Sequence, residues 1–426
     1  MQQSACDPVT AMKVQVVSSK YPPEYSGSGN RAHSTYLRLN EKFGVESDVI
    51  CSSVEFTDRA DYQSDGTRVT RVVSPLLRRI DQNLGKGQVR RLTNAAVYHS
   101  EARAVTRLLA SRNFDIIHVF GYSPATVAAI NWSRRRSVPL VLEIVNNIGS
   151  PYQYLPGTRK FRSYDLRIQA VIVAISKHIS DICAAAGLGQ NVWTRPNPVD
   201  TQRFSPASGD QRAKTISTLF GFGFGESDKV IVYVSKFMKQ KNHEFLVEVM
   251  KHLPDEYRLV LAGPTITAGE MDPGMTMEQV PQLQARVDRA GLGERVKIIP
   301  GFVDTAEYLS GADLFCFPAQ NEAMGTPLIE ALSSGTPVVA NAGEPSFAEW
   351  IIDGENGYLV PLNAEQWATA VQTAAEFGDA QRKQISQSVN ARISSDVIDE
   401  QYFRLLNGLT TAAPDETVDV EKVLSS

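Results

Sequence analysis

Cysteine is sparse. The 426 residues hold four, Cys6, Cys51, Cys183 and Cys316, with no short spacing between any two. Neither a metal-ligand pattern nor a disulfide framework is written in such a set. A reducing compartment fits, with Cys51 and Cys316 expected as small core residues. Long apolar runs are absent as well: no stretch of 18 apolar residues occurs, so no helix is expected to span a membrane. The first residues, MQQSACDPVTAMKVQVVSS, lack a basic region followed by an apolar core, which argues against a secretory signal and for a cytoplasmic protein. The arginines of residues 75–92 have no interleaved aromatics, and the second half is acidic. Nucleic acid is therefore not an expected partner.

What is present is the composition of a soluble globular protein, 42% apolar and 21% charged, with length for two ordinary domains. The net charge of -4 conceals an imbalance. Residues 1–200 carry 25 Lys and Arg against 16 Asp and Glu; the remainder carries 18 against 31. Basic residues gather at PLLRRIDQNLGKGQVRRL (75–92), with Arg78, Arg79, Arg90 and Arg91, and at WSRRRS (132–137). They could steer an anionic acceptor or an anionic membrane face toward the first half, or be solvated surface charge.

Short apolar strands alternate with helical segments. KVQVVSS (13–19), ESDVICSS, FDIIHVF (114–120), VPLVLEIV (138–145) and AVIVAIS (170–176) read as buried strands, with helices expected over 31–44 and 93–112. The alternation means βα units and a mostly parallel sheet covered on both faces. RPNPVDTQRFSPASGDQRAK (195–214), rich in Pro and Ser, interrupts it and reads as an interdomain linker with room for a short helix. KVIVYVS (229–235) restarts the pattern, which runs to helices expected near 364–376 and 379–407. The expected organisation is an N-terminal domain over 13–195, a linker over 196–228 and a second domain over 229–385. A helix over 386–408 could return to the first domain, and 411–426 is expected to be a disordered polar tail. Parallel sheets bind ligands beyond the carboxyl ends of their strands, so two such domains would face a common cleft.

The stretch NEAMGTPLIEALSSGTPVVA (321–340) concentrates the chemistry. Thr326 and Pro327 suggest a helix start with threonine as cap. The unpartnered amides around Gly325 and Thr326 would then form an anion site. Glu330 falls one turn into the helix and Glu322 in the loop before it, so carboxylates for hydroxyls flank amides for phosphate. Lys236 and Lys241 lie in one βα loop of the same domain, where two ammonium groups can neutralise a diphosphate. Each feature alone also fits ordinary surface charge or a capping carboxylate.

Taken together, these motifs resemble the retaining glycosyltransferases of the GT-B fold, in the family 4 group, over residues 13 to about 408. The Glu-x7-Glu signature is Glu322 to Glu330, inside FPAQNEAMGTPLIEALSSGTPVVA. The family's basic pair is matched by Lys236 and Lys241, the first commonly arginine. RPNPVDTQRFSP is similar to the hinge phrase, with Pro198 where glycine is usual. GFVDTAEYLSGADLFCFPA and SFAEWIIDGENGYLVP are similar to the base-pocket segment and the lead into the last helices.

The resemblance implies an α/β protein of two Rossmann-like doubly wound domains facing a central cleft. It implies transfer of a sugar from a UDP- or GDP-sugar to an acceptor hydroxyl with retained configuration, in glycoconjugate, polysaccharide or glycosylated-metabolite synthesis. By position, Glu330 would hold the ribose and Glu322 the donor sugar, helped by amides of Ala323, Met324, Gly325 and Thr326. Lys236 and Lys241 would hold the diphosphate, so that no metal or cofactor is needed, and Phe302 and Val303 would face the base. Gly27 and Gly29, in EYSGSGN, would let backbone approach the donor phosphate and acceptor. Asn146 and Asn147 are acceptor-side candidates for a glycan, lipid-linked or small-molecule acceptor, and peripheral contact with an inner membrane face is compatible. Where the family often writes two histidines, DIIHVFG keeps His118 as a candidate catalytic residue and places Phe120 at the second position. Alternatives are another GT-B activity (a sugar phosphorylase, or a nucleotide-sugar hydrolase or epimerase) and a catalytically silent nucleotide-sugar-binding subunit.

Overall fold

The computed structural model describes residues 12–24, 26–75, 88–154, 170–219, 228–265, 280–411 and 418–425. The chain divides into two compact units: residues 1–175, 179–195 and 399–426 form the first, and residues 176–178 and 196–398 the second.

The first unit is built on an eight-stranded sheet ordered β3-β4-β2-β1-β5-β6-β7-β8. Its strands are β1 (Lys13–Ser18), β2 (Glu46–Cys51), β3 (Ala60–Ser64), β4 (Thr67–Arg71), β5 (Ile116–Phe120), β6 (Leu140–Ile144), β7 (Ala170–Ala174) and β8 (Val192–Thr194). Strands β5, β6 and β7 are buried at every residue, which explains why they read as mainly apolar runs, interrupted by His118 in β5 and Glu143 in β6, rather than as alternating ones. All pairings are parallel except β3 with β4, a hairpin turning at Asp65 and Gly66. That hairpin and β8 were not evident in the sequence: YQSDGTRVT alternates weakly, and β8 is three residues long.

Helix α1 (Gly27–Phe43) starts four residues earlier than expected, because the Ser26 side chain caps it by accepting from the Gly29 amide at 2.9 Å. Helices α2 (Gln88–Ser111), α3 (Pro124–Arg136) and α4 (Lys177–Ala185) follow. The tail also departs from expectation. Residues Val420–Ser425 form a short helix, Val418 and Val420 are buried, and the Val420 amide donates to the Gln190 carbonyl at 3.1 Å. Two valines in a polar segment suffice to seat it.

The second unit opens with α5 (Gly209–Leu219) and carries a six-stranded parallel sheet ordered β11-β10-β9-β12-β13-β14. Its strands are β9 (Lys229–Val234), β10 (Tyr257–Gly263), β11 (Val296–Pro300), β12 (Leu314–Phe317), β13 (Val338–Asn341) and β14 (Gly357–Val360). Its helices are α6 (His243–Met250), α7 (Val280–Arg289), α8 (Thr305–Gly311), α9 (Thr326–Ser333), α10 (Ala364–Ala374) and α11 (Asp379–Ile393). The single helix expected over 379–407 is two. Ser394, in extended conformation, separates α11 from α12 (Ser395–Thr411), and the flanking groups bond instead to Val199, whose amide donates to Ile393 and whose carbonyl accepts from Ser395. From Asp399 onward α12 belongs to the first unit, where Asp399, with a fully buried side chain, accepts both bonds of a forked pair from Arg38 and a third from Lys42 at 2.8 Å. Cys51, Cys183 and Cys316 are all buried.

Candidate active site

Strand order reverses at one place in each sheet. In the second unit β9 has β10 on one side and β12 on the other, so the connections leaving β9 and β12 diverge and open a crevice at their carboxyl ends. These two connections hold the lysines and glutamates singled out above. Residues Ser235–Asn242 follow β9, and Pro318–Gly325 follow β12. They are tied by backbone, the Gln320 amide donating to the Gln240 carbonyl at 2.8 Å. They are also tied by charge: Lys241 Nζ donates to Glu322 Oε1. Lys241 is held at its carbonyl, which accepts from the Tyr233 hydroxyl at 2.8 Å, and its ammonium lies 5.8 Å from the Phe317 ring centre. Three donors on an ammonium leave capacity for phosphate oxygens after the Glu322 bond is made. Lys236 lies in the same connection, partly exposed.

Helix α9 begins differently from expectation. Gly325, not Thr326, is the cap, in left-handed conformation at φ 81°, and Thr326 is already helical. A Cβ at 325 would stand 2.6 Å from Phe317 Cε1 and 2.8 Å from Phe347 Cε1, two rings stacked at 4.8 Å. Both the torsion and the space demand glycine. Gly325 has no side chain with which to cap the helix. Pro327 carries no N–H and the Leu328 amide donates to the Gly325 carbonyl at 2.9 Å, so in the first turn the Thr326 amide is the one placed for an anion. Thr326 Oγ1 accepts from Asn197 Nδ2 at 2.7 Å, and the Asn197 amide meets Met324 Sδ at 3.4 Å. Ala323 and Met324 are buried. Glu330, one turn along α9, makes no side-chain hydrogen bond among the described residues. The protein around it pushes its carboxyl up to about 7, with Arg203 acting in the opposite direction. Beyond β11, Phe302 is 73% exposed, whereas Val303 packs against a cluster of Val230, Val232 and Val260.

In the first unit the reversal falls at β1, between β2 and β5. Gly27 stands in open space at the start of α1; Gly29 is buried, and a Cβ there would lie 2.6 Å from the Lys20 carbonyl oxygen. Asn146 and Asn147 are exposed beyond β6. His118 does not join them. It is fully buried, its Nδ1 bonded to the Tyr36 hydroxyl at 2.8 Å and its Nε2 3.4 Å from Glu143. Burial holds its pKa below the usual value, against the pull of Glu143. Direct contact with a substrate is thus corrected to a place in the core. Phe120 is buried too, its ring centre 4.2 Å from that of His118.

Glu143, fully buried in β6, is the hub of a buried network. It accepts from Arg195 Nη2 at 2.6 and 2.8 Å and from the Tyr402 hydroxyl, with Arg31 at 3.7 Å. Burial works to raise its pKa, but Arg195, His118 and Arg31 overcome that and hold it far below the carboxylate range. Arg78 and Arg79 lie outside the described residues, and so do the side chains of Arg90 and Arg91. No helix among the described residues is long and apolar enough to cross a membrane.

Sequence reasoning missed Glu344, Ser346 and Asn197. For Glu344 and Ser346 the signal was topological: β13 neighbours β12, so AGEPS after β13 and the glutamate loop after β12 end at the same edge.

Two family models match the chain, Glycosyltransferase Family 4 over residues 25–203 and Glycosyl transferases group 1 over residues 218–391. The chain belongs to glycosyltransferase family 4. Among curated relatives of this family 4 chain, the D-inositol 3-phosphate glycosyltransferase of Mycobacteroides abscessus is 30% identical over 178 residues, 41% of this chain and 36% of that protein. The lipopolysaccharide core biosynthesis mannosyltransferase LpsB of Rhizobium meliloti is 27% identical over 214 residues, 49% of this chain and 57% of its own. The first of these alignments thus spans about a third of the relative's length. Among solved structures, Anabaena Alr3699/HepE in complex with UDP and glucose superposes with TM-score 0.67 at 19% identity, covering 93% of this chain and 99% of that one. Sucrose-phosphate synthase from Thermosynechococcus elongatus gives 0.70 at 19% identity, covering 94% and 100%. The fold is GT-B, two parallel-sheet α/β domains.

Proposed function

We propose that this family 4 protein moves a sugar from a nucleoside-diphosphate sugar to an acceptor hydroxyl with retention of configuration. The observation that carries the reading is the meeting, at the switch point of the second sheet, of the Lys241–Glu322 pair with the uncapped start of α9 and with Glu330 one turn beyond. The acceptor oxygen bonds to the anomeric carbon as the bond from that carbon to the diphosphate breaks. The acceptor proton passes to a departing phosphate oxygen on the same face. Lys236, Lys241 and the amides of Ala323 to Thr326 take the charge that grows on the leaving group. Glu322 faces the sugar, Glu330 the ribose, and exposed Phe302 the base, while Gly27 and Gly29 let backbone approach the donor phosphate and the acceptor, and Asn146 and Asn147 serve the acceptor side. UDP in the HepE complexes supports a nucleotide-sugar donor.

Glu330 supplies the test. Its carboxyl near 7 is half protonated at neutral pH, and only the ionised form accepts two ribose hydroxyls. A raised carboxyl contributes stability fully below its ordinary 4.5 and loses it as pH rises through about 7, so nucleotide must draw the group into its ionised form and release a proton. UDP or GDP affinity should rise from pH 6 to 8. Calorimetry in buffers of different ionisation enthalpy should show proton release that E330Q removes, a difference that cancels the nucleotide's own titration. E330A should weaken binding by about 1.5–3 kcal/mol. Unchanged affinity and proton balance in both variants would remove Glu330 from the site.

An anionic lipid-linked acceptor, or a peripheral membrane face, is the second part of the reading. Its support is the basic first 200 residues, including Arg134, Arg135 and Arg136, exposed in the last turn of α3. Vesicles containing phosphatidylserine should carry the protein in flotation at low ionic strength and lose it as salt rises. No flotation at low salt would leave a soluble acceptor.

A further inference from the structure

Resting on that reading, we infer that Glu344 is a positioning residue for the sugar-facing loop. Its side chain is nearly buried, and its two carboxylate oxygens divide two successive backbone amides between them. Oε1 accepts from Asn321 at 2.6 Å and Oε2 from Glu322 at 3.0 Å. Asn321 is in left-handed conformation, φ 61°, the backbone form that turns successive amides toward one point. A carboxylate is the side chain that can receive both.

The clamp is itself anchored. Glu344 sits in the turn after β13, where its amide donates to the Asn341 carbonyl at 3.2 Å and its carbonyl accepts from Phe347 at 3.1 Å. Asn341 accepts from the Gly343 amide at 2.9 Å and donates to the Ala319 carbonyl at 3.1 Å, which joins this turn to the root of the glutamate loop. Ser346 Oγ donates to the Glu322 carbonyl at 3.1 Å. Glu322 is therefore gripped at its N–H by Glu344, at its C=O by Ser346 and at its side chain by Lys241.

Two consequences follow for the reaction. The Glu322 carboxylate is carried on a backbone held at both its N–H and its C=O, which favours stabilising charge that appears only in the transition state. The amides of Asn321 and Glu322 are also spent on an anion of the protein's own. A diphosphate is left with those further along, from Ala323 to Thr326. Glu344 thus fixes where on the loop the leaving group sits, without touching it.

E344Q keeps size but sets an NH2 group against one of the two backbone N–H groups, whereas E344D keeps charge on a shorter arm. In folded E344Q, nucleotide release from saturating UDP-glucose or GDP-mannose should fall by about 10-fold or more. UDP and GDP affinities should change by less than about 3-fold, and E344D should recover part of the turnover. Hydrogen exchange at the Asn321 and Glu322 amides, read by NMR, should accelerate in E344Q with no matching change at Gly343. Turnover equal to wild type, or a loss matched by an equal loss of nucleotide affinity, would overturn the positioning role. Unaltered exchange would overturn the clamp alone. Wild-type protein binding neither UDP nor GDP would overturn the glycosyl-transfer reading, and the role built on it.

Discussion

Replacing Arg195 with methionine should cost about 3–5 kcal/mol of stability, the range for removing one partner of a buried ion pair. Arg195 and Glu143 are 1% and 0% exposed. Without the guanidinium, Glu143 keeps the Tyr402 hydroxyl and the more distant Arg31 and His118, too little to hold a charge in that setting. The group escapes by taking a proton, so the variant should also lose a pH signature. In wild type the depressed carboxyl contributes stability above its ordinary 4.5, and that contribution is lost as pH falls through the far lower folded value. In Arg195→Met the acid dependence between pH 5 and 3 should flatten. The double variant with Glu143→Leu should recover part of the loss, since an apolar pair replaces a stranded charge. Urea unfolding across that range measures all three. A single-variant loss below about 1 kcal/mol would show that the network does not hold the first unit together.

Glu322→Gln is expected to lower kcat by about 10-fold or more while nucleotide-sugar affinity changes less. The substitution preserves size and the backbone bonds to Glu344 and Ser346, so the loop should stay in place. What it removes is the negative charge that Lys241 now meets, and that charge gains weight as positive charge develops at the anomeric carbon. Steady-state turnover beside calorimetric affinity gives the comparison. Equal kcat values would reduce Glu322 to a loop carboxylate paired with a lysine. NMR of the product's anomeric proton tests the stereochemistry, and inversion would exclude the retaining route whatever the variant does.

The parallel strands could be read from sequence because burial on both faces writes them as apolar runs, as in β7. The Lys241–Glu322 pairing was half legible. Each residue was visible in its own loop, but their contact depends on β9 lying beside β12, which periodicity does not state. Glu344 was illegible for the same reason: a carboxylate that binds backbone amides leaves no partner residue type to search for. His118 failed in the opposite sense. A histidine one residue pair from a strand end can face a crevice or the core, and Tyr36 and Glu143, remote in sequence, decide for the core. Gly325 was visible as a glycine before a helix, while the Phe317 and Phe347 rings that exclude any side chain were not.

Asp399 and Tyr402 make completion of the first unit wait for the end of synthesis. The second unit, apart from residues 176–178, is one continuous stretch, 196–398, whereas the first is completed only by residues from 399 onward. On the ribosome, Glu143 and Arg195 emerge before Tyr402, and Arg38 and Lys42 before Asp399. At bacterial-like elongation rates the wait across 196–398 is about 10–40 s. During that time the nascent sheet carries its buried charges incomplete, and the later-made unit can fold first.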